Sequence, residues 1–296
     1  MKKVSNTESL GNRIKEYELK SENIISPDDH MIVRIDGHKF STFTRQFEKP
    51  FDSILAFAMI ETAKDLVEKF NCYAGFTQSD EITLFIPSLK DLTVDNRKKP
   101  THKLHERVRD GWSHQFSGRT QKITSLIAAF TTVQFNKHLR RKSMKETLNP
   151  DITEERKAHI FKMLNSDHFL DTAFFDARVL GVPNLDEVFN IFMWRSRDCL
   201  KNSKQGFARA YCSHKELMGI SSDDQIIYCL EKTGKNWDVI PDMYKFGTLV
   251  KKTQVEKDVE YKGVKSIVNR QELTTISIPF TNYCEENKKI VVSQLI

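Results

Sequence analysis

The sequence predicts an α+β fold: an antiparallel sheet with helices on one face, followed by a mainly helical C-terminal half. Three observations predict it. Met31–Ile35 is an apolar run that stops at an acid and a glycine, Asp36-Gly37. Phe51–Phe70 carries Leu55, Met59, Ala63, Leu66 and Phe70 at three- and four-residue steps, the period of a helix lying on a sheet. Asn71–Thr77 and Ile82–Ile86 flank a polar knot, Gln78-Ser79-Asp80-Glu81, like the two arms of a hairpin. A strand, a helix and a hairpin in that order bring Asp36 and Asp80 side by side on one sheet.

Residues 1–28 are polar and charged, with a short helix over Leu10–Lys20 and a turn at Ser26-Pro27-Asp28-Asp29. The first strand, Met31–Ile35, is apolar at four of its five positions, as for a strand covered on both faces. Gly37 then lets the chain turn sharply and bring its N–H groups close to a ligand. An acid beside such N–H groups is a seat for a triphosphate, although Asp-Gly after a strand is more often a plain turn. Lys49 has the reach to touch a phosphate, but its default is an exposed lysine. Asp52 reads as a first-turn acid favoured by the helix dipole. Acids at a hairpin are often solvated; apolar flanks and a partner acid at position 36 raise the metal-site reading to even standing. Two carboxylates on adjacent strand ends suit a pair of Mg²⁺ ions and phosphoryl or nucleotidyl transfer.

Residues 88–118 form a long polar connection containing Asp95-Asn96-Arg97-Lys98-Lys99-Pro100, a solvated loop or an RNA contact. Arg119-Thr120-Gln121-Lys122 opens a second helix, Ile123–Leu139, with Ile123, Leu126, Ile127, Phe130 and Val133 on one face. After a charge run, Arg140-Arg141-Lys142, and a partly helical stretch, Ala173–Pro183 reads as a strand. The order strand, helix, strand, strand, helix, strand is the ferredoxin-like βαββαβ arrangement, also the order of polymerase palms and nucleotidyl cyclases. A boundary at 183/184 separates this unit, residues 1–183, from a C-terminal region, 184–296. There Leu185–Trp194 reads as a helix. Arg197–Gly219 reads as a basic helical surface bearing Arg197, Lys201, Lys204, Arg209, His214 and Lys215. A strand-like tail starts at Tyr244–Lys252, with further strands at Val264–Val268 and Thr274–Ile278.

The five cysteines are odd in number and form no C-x-x-C pair, which argues against a disulfide framework and a zinc site. The N-terminus lacks an apolar core of the signal-peptide kind, and no apolar run approaches a membrane span. A soluble, cytoplasmic protein without membrane contact is expected. The formal charge of +6 is compatible with a nucleic-acid partner and does not demand one.

Six motifs in order resemble the tRNA-His guanylyltransferase family. They are Arg34-Ile35-Asp36-Gly37-x-x-Phe40, Lys49-Pro50-x-Asp52, Gln78-Ser79-Asp80-Glu81, Arg119-x-x-Lys122, Phe175-Asp176-x-Arg178 and Trp194-Arg195-x-x-Asp198. The resemblance implies a palm-like domain that extends RNA 3′ to 5′. It implies two Mg²⁺ ions held by the carboxylates of Asp36 and Asp80 and the carbonyl of Gly37, with Glu81 supporting the catalytic acids. A nucleoside triphosphate, GTP or another NTP with ATP as activator, would lie against Asp36, Gly37, His38, Lys39, Phe40, Ser41 and Ser79. Lys49, Arg119 and Lys122 would neutralise phosphates, and Asp52 would touch the base. The tRNA would meet Arg195, Lys201, Asn202, His214 and Lys215, with His214 equally readable as a packed or surface histidine. Relatives form tetramers, so a homotetramer is expected.

The eukaryotic guanylyltransferases carry a His-Ile-Asn-Asn-Leu-Tyr-Asn run where this chain has Leu200-Lys201-Asn202-Ser203-Lys204-Gln205-Gly206. Ser213-His214-Lys215-Glu216-Leu217-x-Gly219 and Gly234-Lys235-Asn236-Trp237 look instead like the branch that repairs 5′-truncated tRNA against a template. Templated repair is therefore the first expectation, ahead of single-G addition at position −1. A cyclase acting on free nucleotides and a non-catalytic RNA-binding protein are the rivals from other classes.

Overall fold

The computed structural model describes residues 6–89, 114–261 and 264–292. One six-stranded antiparallel sheet, in the order β4-β1-β3-β2-β5-β6, carries the fold. After helix α1 (Asn6–Ser21), β1 (His30–Gly37) leads through a short α2 (Phe40–Phe43) into α3 (Ser53–Lys69). The hairpin β2 (Ala74–Gln78) and β3 (Glu81–Ile86) follows, then α4 (Thr120–Thr147), α5 (Glu154–Leu164) and β4 (Phe175–Val182). The C-terminal half contains α6 (Leu185–Tyr211), α7 (His214–Leu217), α8 (Ser222–Thr233), α9 (Asp242–Phe246), β5 (Thr248–Tyr261), β6 (Val264–Ile276) and α10 (Glu285–Val292). The expected strand and helix order of the palm-like unit is the observed one.

Residue alternation sorts the sheet into two faces. Met31, Val33, Ile35, Ile82 and Leu84 pack against α3, α4 and α5 through Ala58, Ala63, Leu66, Ile127, Phe135 and Ile160. Ile32, Ala74, Phe76, Phe85 and Leu249 pack against Val188, Phe189 and Phe192 of α6 and against Val291 and Val292 of α10. Burying each such side chain stabilises the fold by roughly 1.5–3 kcal/mol. The helices of the palm-like unit thus lie on one face, and α6 from the C-terminal half closes the other.

Boundaries differ where local pattern misleads. In α4, Leu126 and Val133 are exposed; the buried stripe is Ile123, Ile127, Thr131 and Phe135, carried through by a threonine. The tail from Tyr244 begins as helix α9 and turns into a strand only after Gly247, at φ +78. A side chain at Gly247 would also meet Phe76, with a ring carbon 2.6 Å from its Cβ. The two late strand candidates are one strand, β6, paired to β5 from Leu249↔Ile276 to Tyr261↔Val264. Since β2 pairs with β5 only over Thr248–Lys251, most of this ribbon stands off the sheet and loses the usual apolar alternation. The basic stretch around Arg97 lies outside the described residues.

Candidate functional site

The ends of four strands form the site. The register aligns Gln78 with Glu81, Glu81 with Asp36, and Asp36 with Asp176, a row of four polar side chains on the face that α6 covers. One pleat below, Arg34 stands opposite Arg178. Like charges directly opposite each other repel, so the acids suit bound cations; Arg178 lies 3.9 Å from Asp176 and Arg34 stacks over Trp194 at 4.8 Å. The signal was in the sequence: Arg34-x-Asp36 and Asp176-x-Arg178 are reversed copies that coincide when their strands run antiparallel.

Asp80 crowns the row. The Gly37 N–H donates to its carbonyl at 3.1 Å, clipping the β1 turn to the hairpin. Gly37 has no room for a side chain, because a Cβ there would lie 2.3 Å from the Phe40 ring. Ser79, at φ +49, donates its hydroxyl to Asp80 Oδ1 at 3.0 Å. Burial pushes the Asp80 carboxyl up from 3.8 to about 6, and the charges of Asp36 and Glu81 add to this against the Ser79 hydrogen bond. Glu81 is held by Arg195 at 2.6 Å and by Gln78 Nε2 at 2.9 Å, and Arg195 also pairs with Asp198 at 2.9 Å.

Beside the row, at the β2–β5 end, opens a cleft of about 220 Å³. Its walls are Phe47, Leu55, Ala56 and Met59 on one side and Cys199, Asn202, Gly206 and Tyr244 on the other, with Gln78 and Ser79 at its edge. Phe51 stacks on Tyr244 with ring centroids 4.8 Å apart. The shape and apolar lining suit a nucleoside next to charged phosphates.

The predicted residues divide. Asp36, Gly37, Ser79, Asp80 and Glu81 come together, and His38, Lys39, Phe40 and Ser41 follow directly in the turn and α2. His38, Lys39 and Ser41 are exposed and Phe40 is core. Lys49 lines the cleft and donates to the Thr44 carbonyl at 2.9 Å. Asp52 also lines it, but its carboxylate caps α3 at Ile54 N–H, accepts from Glu48 N–H and receives Arg156 at 2.9 and 3.0 Å. Those partners occupy the oxygens expected to meet a base. Arg156, which sequence reasoning missed, has no local pattern to reveal it, since it reaches Asp52 from α5.

Arg119 and Lys122 require a correction within one chain. They open α4 beside Asn23–Ile25, where Ile25 N–H donates to Gly118 O and Thr120 N–H to Asn23 O, at the start of β1 and not at its Asp36 end. Phe135, further along α4, reaches Phe40 and Phe175 at the catalytic end, and the helix between Lys122 and Phe135 spans about 20 Å. Arg195, expected to meet RNA, is instead 4% exposed and serves Glu81 and Asp198. Lys201, Asn202, His214 and Lys215 are exposed, with Asn202 at the cleft.

Hard carboxylate oxygens suit Mg²⁺, and the burial and like charge that lift Asp80 are what a bound cation would offset. Among the described residues no three His, Cys, Asp or Glu side chains form a cage by themselves.

A family model described as tRNAHis guanylyltransferase (Thg1) matches residues 11–183. The chain belongs to this family. The tRNA(His) guanylyltransferase of Saccharomyces cerevisiae is 26% identical over 248 residues, 79% of this chain and 86% of the relative. An uncharacterised protein of Acanthamoeba polyphaga mimivirus is 34% identical over 263 residues, 87% of this chain and 82% of the relative. Two solved structures of bacterial Thg1-like protein superpose well. The one in complex with ATP gives a TM-score of 0.62 at 29% identity, covering 88% of this chain and 91% of the other. The one in complex with GTP gives 0.61 at 26%, covering 97% and 99%. As a Thg1 family member the chain is a nucleotidyltransferase of the guanylyltransferase-like kind.

Proposed function

We propose that the chain adds nucleotides in the 3′-to-5′ direction to the 5′ end of tRNA, by templated repair of 5′-truncated molecules. The observation that carries the reading is the carboxylate row of Asp36, Glu81 and Asp176, with Asp80 above it, beside a nucleotide-sized cleft. The divergence at Leu200–Gly206 supports repair over single-G addition at position −1, which remains the second reading.

In this reaction the 3′-hydroxyl of the incoming NTP attacks an activated 5′ phosphate of the RNA, and AMP or pyrophosphate leaves. Asp36, Asp80 and the Gly37 carbonyl would hold two Mg²⁺ ions, which when bound lower the pKa of the attacking hydroxyl and stabilise charge on phosphorus. The chain's own part is positional. The cleft takes the base and sugar, and the turn from Lys39 to Ser41, with Ser79, faces the triphosphate. Arg195 and Gln78 fix Glu81 so that the acid row keeps its spacing. The basic surface with Lys201, Asn202, His214 and Lys215 would meet the RNA, in a cytoplasmic homotetramer. A cyclase would leave that surface without a task.

Incubation with 5′-truncated and intact tRNAs and labelled NTPs tests the reading. Label should enter at the 5′ end, more readily on truncated tRNAs of any anticodon. Preference for full-length tRNA-His alone would return the chain to single-G addition, and a cyclic product from NTP alone would make it a cyclase. Asp36→Ala should lower transfer by at least a thousandfold while far-UV CD and Tm stay near wild type; near-normal turnover would overturn the metal assignment.

A further inference from the structure

The strip of β4 beside the acid row is uncovered. Phe175 and Val182 are core, but Asp176, Arg178 and Leu180, on the α6 side of the sheet, are exposed because α6 crosses further along. The β1–β4 ladder continues one step past the acids, where the His38 N–H donates to Phe174 O at 2.9 Å. There the His38 and Phe174 rings stack with centroids 4.7 Å apart and planes at 22°. Phe174 is 53% exposed, and His38 is exposed as well. A stacked, solvent-facing aromatic pair contributes little to a core. It stands about 7 Å, one pleat, from the carboxylates of Asp36 and Asp176.

The topology gives this pair its meaning. Across the sheet the order runs β4-β1-β3-β2-β5. The nucleotide cleft borders the β2–β5 side, the acids sit on β3 and β1, and the aromatic pair sits on β1 and β4. Group transfer needs two substrates on opposite sides of the reacting phosphate. With the cleft on one side, the open β4 strip is the remaining approach. Its sequence of chemistries, aromatic pair, acids that favour cations, then the Arg34 and Arg178 guanidinium groups, matches a base followed by phosphates. Aromatic faces stack on any base, and guanidinium groups donate to phosphate oxygens.

We propose that the His38–Phe174 pair is a stacking platform for the 5′-terminal base of the RNA acceptor, on the far side of the acids from the NTP cleft. This deepens the function proposed above and rests on it. Phe174 acts as a binding residue for the acceptor end, and His38 backs its ring.

The test uses the full chain and a 5′-phosphorylated acceptor-stem hairpin, with and without a base on its 5′-terminal residue. Wild type should bind the base-bearing hairpin about tenfold more tightly than the abasic one. Phe174→Ala should bind both equally, at the abasic level, with its KM for NTP unchanged, and Phe174→Tyr should restore the difference. In Phe174→Trp, the hairpin should quench fluorescence beyond any change in the wild-type chain. Equal wild-type affinity for the two hairpins, or a difference that survives in Phe174→Ala, would overturn the platform and leave the transferase reading standing. Quenching by GTP or ATP alone and not by RNA would overturn it in favour of a free nucleotide. A wild-type chain that binds neither hairpin would sink both readings.

Discussion

At the scale of single residues, Asp80 carries the largest electrostatic tension in the site. Its folded carboxyl binds a proton more tightly than the unfolded chain does, since its pKa stands at about 6 against 3.8. Stability therefore falls as pH rises from about 4 through about 6 and stays lower above that range. Asp80→Asn should remove this fall and raise stability at pH 7.5 by about 1–3 kcal/mol in urea melts without divalent cation. Mg²⁺ should raise the Tm of the wild type and leave the variant unmoved; an equal rise in both would place the cation elsewhere. Arg195 shows the limit of reading residues singly. The family resemblance placed it among the RNA contacts at the edge of a basic stretch, yet it is buried between Glu81 and Asp198. Charge pattern along one helix cannot tell which cation the fold turns inward. Arg195→Met should destabilise the chain by about 3–5 kcal/mol, because it leaves Glu81 without its cation.

At the scale of elements, the inner strands β1, β2 and β3 were legible because they are short, apolar and bounded by Asp, Gly and Ser, whereas the long polar β5 and β6 were not. The row of Asp36, Asp80 and Glu81 was legible for the same reason: each acid falls where a strand ends. What stayed hidden were pairings between distant elements, such as α5 with α3. Asp52 reads locally as a first-turn acid, and the structure makes it the cap of α3 and the counter-ion of Arg156 at once. Asp52→Ala should cost about 2–4 kcal/mol by losing the cap and stranding a largely buried guanidinium. Chemical denaturation reads the cost directly, and a loss under 1 kcal/mol would show that Glu48, already 3.2 Å from Arg156, suffices as its counter-ion. The position of Arg119 and Lys122 was hidden for a topological reason. α4 joins β3 to β4, which run parallel to each other, so it starts where β3 ends, at the end of the sheet away from the acids.

At the scale of the molecule, the division at residue 183 is a division of sequence more than of packing. Phe76 and Phe85 of the first half share one core with Val188, Phe189 and Phe192 of the second, and β5 pairs with β2. A fragment ending at Pro183 should expose that face, bind hydrophobic dye and lack a cooperative melt. A sharp thermal transition in the fragment would show that the first half folds alone.

The cleft beside Ser79 has one wall from α3 and its approach, and the other from α6 and α9. Asp36, Glu81 and Asp176 belong instead to β1, β3 and β4. Drift in the C-terminal half can therefore reshape the cleft while the acid row keeps its place, as long as Arg195 still holds Glu81. The shape of the cleft and the spacing of the acids are thus separately adjustable in this architecture.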